Sequence, residues 1–145
     1  MFTFSLQTVL EVRERLEKLK YKEFSLELMA WQKLDLEIKE RKEKLAHSTA
    51  NMNRIRQEST TPAPFHLYDA FRQRLHAEIA QIGEQQREQN QALEAKRKEL
   101  VEARRAYRAL EILRDKEFSR YNAAQARQER TVMDEIAASH HQRSH

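Results

Sequence analysis

The residues able to do chemistry are scattered. Histidine occurs at His47, His66, His76, His140, His141 and His145. His66 and His76 are ten positions apart, so they do not form the i,i+4 pair that grips a metal from one helix face, and no H-E-x-x-H is present. His140, His141 and His145 sit in the polar run SHHQRSH, where a solvated tail accounts for them better than metal binding. Carboxylates recur only on charged helical faces, with no pocket to shift their pKa values. Zero Cys excludes thiol nucleophiles, disulfides, iron–sulfur clusters and Cys-ligated zinc. A single Gly excludes the phosphate cradles that need several residues free of Cβ. No catalytic set, cofactor or metal is expected.

Binding residues are easier to nominate. The stretch from Lys96 to Arg108 is the most basic, with Arg97, Arg104 and Arg108 on one helical face. Nucleic-acid backbone contact, an acidic protein partner and a plain solvated face all account for it. The net charge of +4 comes from 27 basic and 23 acidic residues with interspersed signs, which favours a solvated helix surface over a nucleic-acid binder. Phe65, Tyr68, Phe71 and Leu75 gather just after the only breaker-rich run, Ser59-Thr60-Thr61-Pro62-Ala63-Pro64. They either cap a turn or form an apolar patch for another protein. Phe2, Phe4 and Leu6 pose the same choice at the other end.

These side chains must be positioned by helices. Of 145 residues, 34% are charged, only two are Pro, and Glu, Lys, Arg, Gln, Ala and Leu dominate, a composition of long helices or coiled coil. The two prolines sit together and stop a helix before them. The expectation is one all-α domain spanning 1–145, with helices over about 5–57 and 66–138, a turn over about 58–65, and a disordered tail from 139. Trp31, Leu34, Ile38, Leu45, Met52 and Ile55 alternate steps of three and four, with Arg41 and Ser48 in polar slots. Val9, Val12, Leu16 and Leu19 read as an earlier part of the same stripe, with a register slip between Leu19 and Leu28. Leu75, Ile79, Ile82, Leu93, Leu100, Tyr107, Leu110 and Tyr121 make the second stripe, with Gln86, Gln89, Lys96, Ala103 and Arg114 in its weaker positions. A period near 3.5 specifies a left-handed two-stranded seam.

A short connection favours an antiparallel hairpin with residue i opposite about 123 − i. At 1.5 Å per residue the helices measure ~80 and ~105 Å, so the second overhangs the first from about Asn122. Acid-first pairs at Glu11/Arg15, Glu14/Lys18, Glu37/Arg41, Glu40/Lys44 and Glu94/Lys98 support the helices. No run approaches the ~20 apolar residues of a membrane span, so no direct membrane insertion is expected. The opening MFTFSLQTVLEVRER lacks the pattern of a signal peptide. A soluble, cytosolic protein is the expectation.

Both ends also carry a family pattern. Phe2-Thr3-Phe4-Ser5-Leu6-Gln7-Thr8-Val9-Leu10-Glu11-Val12-Arg13 resembles the F-x-F-x-L-x-x-V-L-x-x-R start of FliJ, the small coiled-coil protein of bacterial flagellar type III export. Ala109-Leu110-Glu111-Ile112-Leu113-Arg114-Asp115-Lys116-Glu117-Phe118, Tyr121, Arg127-Gln128-Glu129 and Asp134-Glu135-Ile136-Ala137 resemble its C-terminal half. The Pro62/Pro64 loop, the His-containing tail and Gly83 depart from that pattern.

The resemblance implies a non-enzymatic component of flagellum biogenesis and motility, including chemotaxis. It implies a stalk-like coiled coil in or on the hexameric export ATPase, promoting its assembly and activity. It further implies contact with the cytoplasmic domain of the membrane export gate and handling of empty export chaperones. The location implied is cytoplasmic, peripheral at the inner-membrane face of the flagellar base. Phe71 and Leu75 match an aromatic-plus-apolar pair that meets the gate, and Phe2, Phe4, Arg13 and residues beyond Asn122 would face the ATPase. The stalk of a virulence-type secretion system and a generic coiled-coil scaffold are the alternatives.

Overall fold

The computed structural model describes residues 1–58 and 63–144, with the side chains of Ala63 and Pro64 left out. Two helices account for nearly all of it: α1, Gln7–Glu58, and α2, Ala63–Arg143. The element order is α1 then α2, and the described residues contain no strand. The fold class is the expected one: all-α, two antiparallel helices forming a hairpin, with the C-terminal helix the longer. Of the turn expected over about 58–65, residues 59–62, Pro62 among them, lie outside the described residues, whereas Glu58 still belongs to α1 and Ala63 already to α2.

The helices run closer to the turn than the breaker run implies, since α1 persists to Glu58 and α2 is established by Ala63. A shorter connection moves the centre of the hairpin towards the N-terminus. Arg41 therefore meets Glu78, Lys96 meets Glu23, and Leu10 packs with Leu110, so residue i lies opposite about 120 − i rather than 123 − i. At its far end α2 continues to Arg143, past the expected stop at 138. Nothing there breaks a helix, and His140, His141 and Arg143 in the last turn suit its negative end.

Contacts divide the chain into two units, Lys20–Leu100 and Met1–Leu19 with Val101–His145. In the first, every third or fourth residue of α1 from Phe24 to Ile55 is buried or half-buried, including Trp31, Leu34, Ile38, Leu45 and Met52. The facing positions on α2 run unbroken from Phe65 through Leu75, Ile79, Ile82, Gln86, Gln89, Leu93 and Lys96 to Leu100. No register slip interrupts α1. Counting back from Trp31 in steps of four and three gives Glu27, Phe24 and Lys20, all half-buried. Ser48 and Arg72 share one layer by this register, and Ser48 Oγ and Arg72 Nε are both buried without a hydrogen-bond partner.

Polar side chains surround Phe24 in the Lys20–Glu27 part of this seam. Lys20 pairs with Glu23 and Glu99 at 3.4 Å, and Lys96 with Glu23 at 3.3 Å and Glu99 at 3.4 Å. Gln89 donates to the Glu27 carboxylate and, at 3.2 Å, to its carbonyl. Hydrogen bonds from Lys96 hold the Glu99 carboxyl below its ordinary value, and Glu23, then Glu99, raise Lys96. Lys39, then Gln86, lowers Asp35 in the same way.

In the second unit the seam residues of α1 are Leu10, Arg13 and Glu17, and those of α2 are Ala103, Tyr107, Leu110, Arg114, Glu117 and Tyr121. Phe4, Leu10 and Leu110 form a buried cluster, with Phe2 and Tyr107 packed on it. The expectation for Val9, Val12, Leu16 and Leu19 is overturned: they are 40, 54, 43 and 51% exposed. Each precedes a seam residue by one position, about 100° around the helix. The heptad count set by Trp31 and Ile38 cannot bring them inward without an inserted residue.

Candidate interaction surfaces

At the terminal unit, Phe4 closes a turn before α1, its carbonyl accepting from the Gln7 amide at 3.2 Å. That turn delivers the Phe4 ring to Leu10 and Leu110, leaving it 5% exposed. Phe2 then reaches the Phe118 ring edge-on at 5.2 Å between centroids, and the Tyr121 ring at 5.6 Å. Both phenylalanines thus pack against α2. Arg13 Nη1 donates to the Ala106 carbonyl at 3.2 Å, tying the two helices together. The N-terminal ammonium hydrogen-bonds the Tyr121 hydroxyl and lowers its pKa, and Gln125 donates to the same oxygen at 3.2 Å.

Beyond Tyr121 the helix has no cover: every described residue from Asn122 to Ser144 is exposed. Val132, Met133 and Ile136 are the large apolar side chains there, at 53, 68 and 56% exposure. They line shallow depressions whose walls come from α2 alone, which makes these open grooves rather than enclosed sites.

In the other unit, Leu75 is 3% exposed and belongs to the seam, whereas Phe71 is half-buried with the Arg74 guanidinium 5.5 Å from its ring centroid. Phe65 and Tyr68 are half-buried, and Arg56 lies 5.4 Å from the Phe65 ring. The two residues matched to gate contact thus differ in access: Phe71 presents part of its ring, Leu75 almost nothing. Leu67, which sequence reasoning passed over, is 78% exposed.

The three nominated arginines each meet a glutamate. Arg97 pairs with Glu94 at 3.1 Å, Arg104 with Glu17 at 3.1 Å, and Arg108 with Glu111 at 3.0 Å. Arg108, then Tyr107, holds the Glu111 carboxyl below its ordinary value, while the hydrogen bond to Glu111 raises Tyr107. Cations already paired this way have less to offer a phosphate backbone.

No group of three or more His, Asp or Glu able to hold a metal occurs among the described residues. No described helix is long and apolar enough to cross a membrane. The fold and surfaces define a class, the two-helix coiled coils, which offer a partner helix faces and a helix extension rather than a pocket. The chain belongs to the FliJ family: the family described as Flagellar FliJ protein matches residues 2–145. It is accordingly a flagellar export-related protein. No curated protein and no solved structure matches the chain.

Proposed function

We propose that this chain is the stalk-like coiled coil of the flagellar export apparatus, seated in or on the hexameric export ATPase. It promotes assembly and turnover of that hexamer and links it to the membrane export gate. The observation that carries this reading is the run from Asn122 to Ser144, helical to Arg143 and exposed throughout, beside the Phe2–Phe118–Tyr121 cluster. An uncovered amphipathic helix anchored on a stable base is the kind of element that docks into a groove of another protein. Phe71, half-buried in the other unit, is the gate-facing contact on this reading, with Leu75 buried one turn further along α2. Handling of empty export chaperones belongs to the same proposal, as does location at the inner-membrane face of the flagellar base.

Titration of this protein into the purified flagellar export ATPase, with turnover and hexamer fraction followed together, tests the first half. Both rise and saturate near one chain per hexamer if the reading holds. No change at micromolar concentration and modest salt removes the ATPase link. For the gate, Phe71→Ala alone is the informative variant, because Leu75→Ala damages the seam. Reduced motility with unchanged helicity supports the contact, and unchanged motility removes it.

A further inference from the structure

The first turns of α1 carry more apolar side chains than their seam uses. Val9, Val12 and Leu16 stand outside it, at 40, 54 and 43% exposure, while Arg13 and Glu17 stand half-buried within it. By the register of the hairpin, Leu16 and Glu17 share a layer with Ala103, and Val12 and Arg13 share one with Ala106 and Tyr107. Ala103 is buried and Ala106 half-buried. Two of the three facing residues are therefore small, which leaves room for a larger side chain to enter from α1.

Two counts run back along α1 from Lys20. Steps of three, four and three give Glu17, Arg13 and Leu10, the heptad count that the structure follows. Steps of four, four and three give Leu16, Val12 and Val9, an eleven-residue count. The next stretch of the helix already has the eleven-residue pattern: Lys20, Glu23, Phe24, Glu27 and Trp31 are all half-buried. On a helix turning 100° per residue, those five lie within about 60° of Lys20. Natural winding does not enforce the heptad count, since three turns of an α-helix take about 10.8 residues and the two counts use 10 and 11. Local contacts hold the present one. Leu10 is buried with Phe4 and Leu110, and Glu17 pairs with Arg104 at 3.1 Å. Arg13 lies beside the seam in either count.

We propose that the first part of α1 exchanges between these two registers, and that the exchange switches the character of its flank. In the present register the flank shows Val9, Val12 and Leu16. In the other, those three face α2, Leu10 and Glu17 leave the seam, and the same flank shows Thr8, Glu11 and Arg15. The movement is a turn of up to ~100° about the helix axis with a slide of ~1.5 Å, fading out by Lys20. A partner that grips the apolar flank holds the present register, and one that binds the polar flank draws the helix into the other. This goes beyond the stalk reading, and its test needs no ATPase.

The chain has no cysteine, so paired cysteines report the register. Glu17→Cys with Ala103→Cys bridges the heptad register, and Leu16→Cys with Ala103→Cys bridges the other. Residues 16 and 17 point ~100° apart, and a disulfide needs Cα atoms closer than about 7 Å. Lys18→Cys with Ala103→Cys points away from the seam in both registers and reports fraying. The three full-length variants are oxidised in dilute solution and the bridges within one chain are followed with time. The Glu17 pair closes fastest. The Leu16 pair closes about 10- to 1,000-fold more slowly, the span of a minor state populated at about 10 to 0.1%, and clearly faster than the Lys18 pair. Adding Leu10→Ala to the Leu16 pair raises its rate and adding Glu17→Leu lowers it, each about tenfold, because one empties the present seam and the other fills it. A Leu16 pair that closes no faster than the Lys18 pair overturns the proposal. So does a rate that the two added substitutions fail to move in opposite directions.

Discussion

The unit spanning Lys20–Leu100 and the unit made by the two ends solve the same packing problem with different seam residues. The first fills much of its seam with large apolar side chains, Ile38, Met52, Leu75 and Ile82 being buried, although Leu26, Met29, Leu36 and Leu67 stay outside it. The terminal unit buries Phe4, Leu10 and Leu110, lets Arg13 and Glu17 occupy seam positions, and keeps Val9, Val12, Leu16 and Leu19 outside. A heptad position is assigned by the count along the helix, not by the side chain that stands there. Where the two disagree, the structure honours the count and the surplus apolar surface becomes available to a partner.

The sharpest way to break this comparison is Phe4→Ala. Removing a buried ring should cost about 4 kcal/mol. In hydrogen exchange, the amides of residues 101–121 should open while those of 31–55 stay protected. Leu75→Ala should do the converse, costing about 3 kcal/mol and leaving residues 101–121 protected. Uniform loss in either variant would show that the two units unfold together.

Acidification comes next. Glu99 and Asp35 on one side, and Glu111 on the other, are held below their ordinary values by hydrogen bonds from cationic or polar partners. A depressed carboxyl stabilises the fold above its unfolded pKa and loses that contribution as pH falls through the folded one. Thermal midpoints should therefore drop as pH falls below the ordinary 3.8–4.5 range. Glu99→Gln should reduce the drop, read by melting at pH 6 and pH 3.

Two small effects sharpen the contrast. Gly83→Ala should stabilise by about 0.5–1 kcal/mol, because a Cβ there meets nothing within 4 Å. Leu16→Ala should change stability by less than about 1 kcal/mol in urea unfolding of dilute protein, whereas Leu10→Ala, 2% exposed in wild type, should cost about 3.

Much of the hairpin was legible in the residues. The α2 stripe was read correctly from Leu75 to Tyr121, polar slots included except Glu117, because a period-3.5 pattern with no breakers permits only one face inward. The α1 stripe was read correctly from Trp31 onward. Its earlier part was misread because Val9, Val12, Leu16 and Leu19 keep heptad spacing among themselves, and spacing alone cannot say which of two offset stripes meets the partner helix. The unbroken count back from Trp31 was the available signal. The register erred by three because it rested on where the prolines stop a helix, and α1 and α2 run closer together than that. Of the nominated residues at the N-terminal end, Phe2 and Phe4 pack against α2 while Leu6 stays 38% exposed. The burial of Leu75 was legible from its place in the stripe, while the half-covered ring of Phe71 was not.

Gly83 has a consequence of another kind. It sits within an 81-residue helix, half-buried, where its lack of a side chain serves neither a turn nor a close approach. Its backbone gives up more conformational freedom than any other residue in the helix, so restoring some of it by bending or untwisting costs least there. A force applied along α2 would meet its lowest flexural and torsional stiffness near that residue. Replacing it with alanine should stiffen the helix as well as stabilise it.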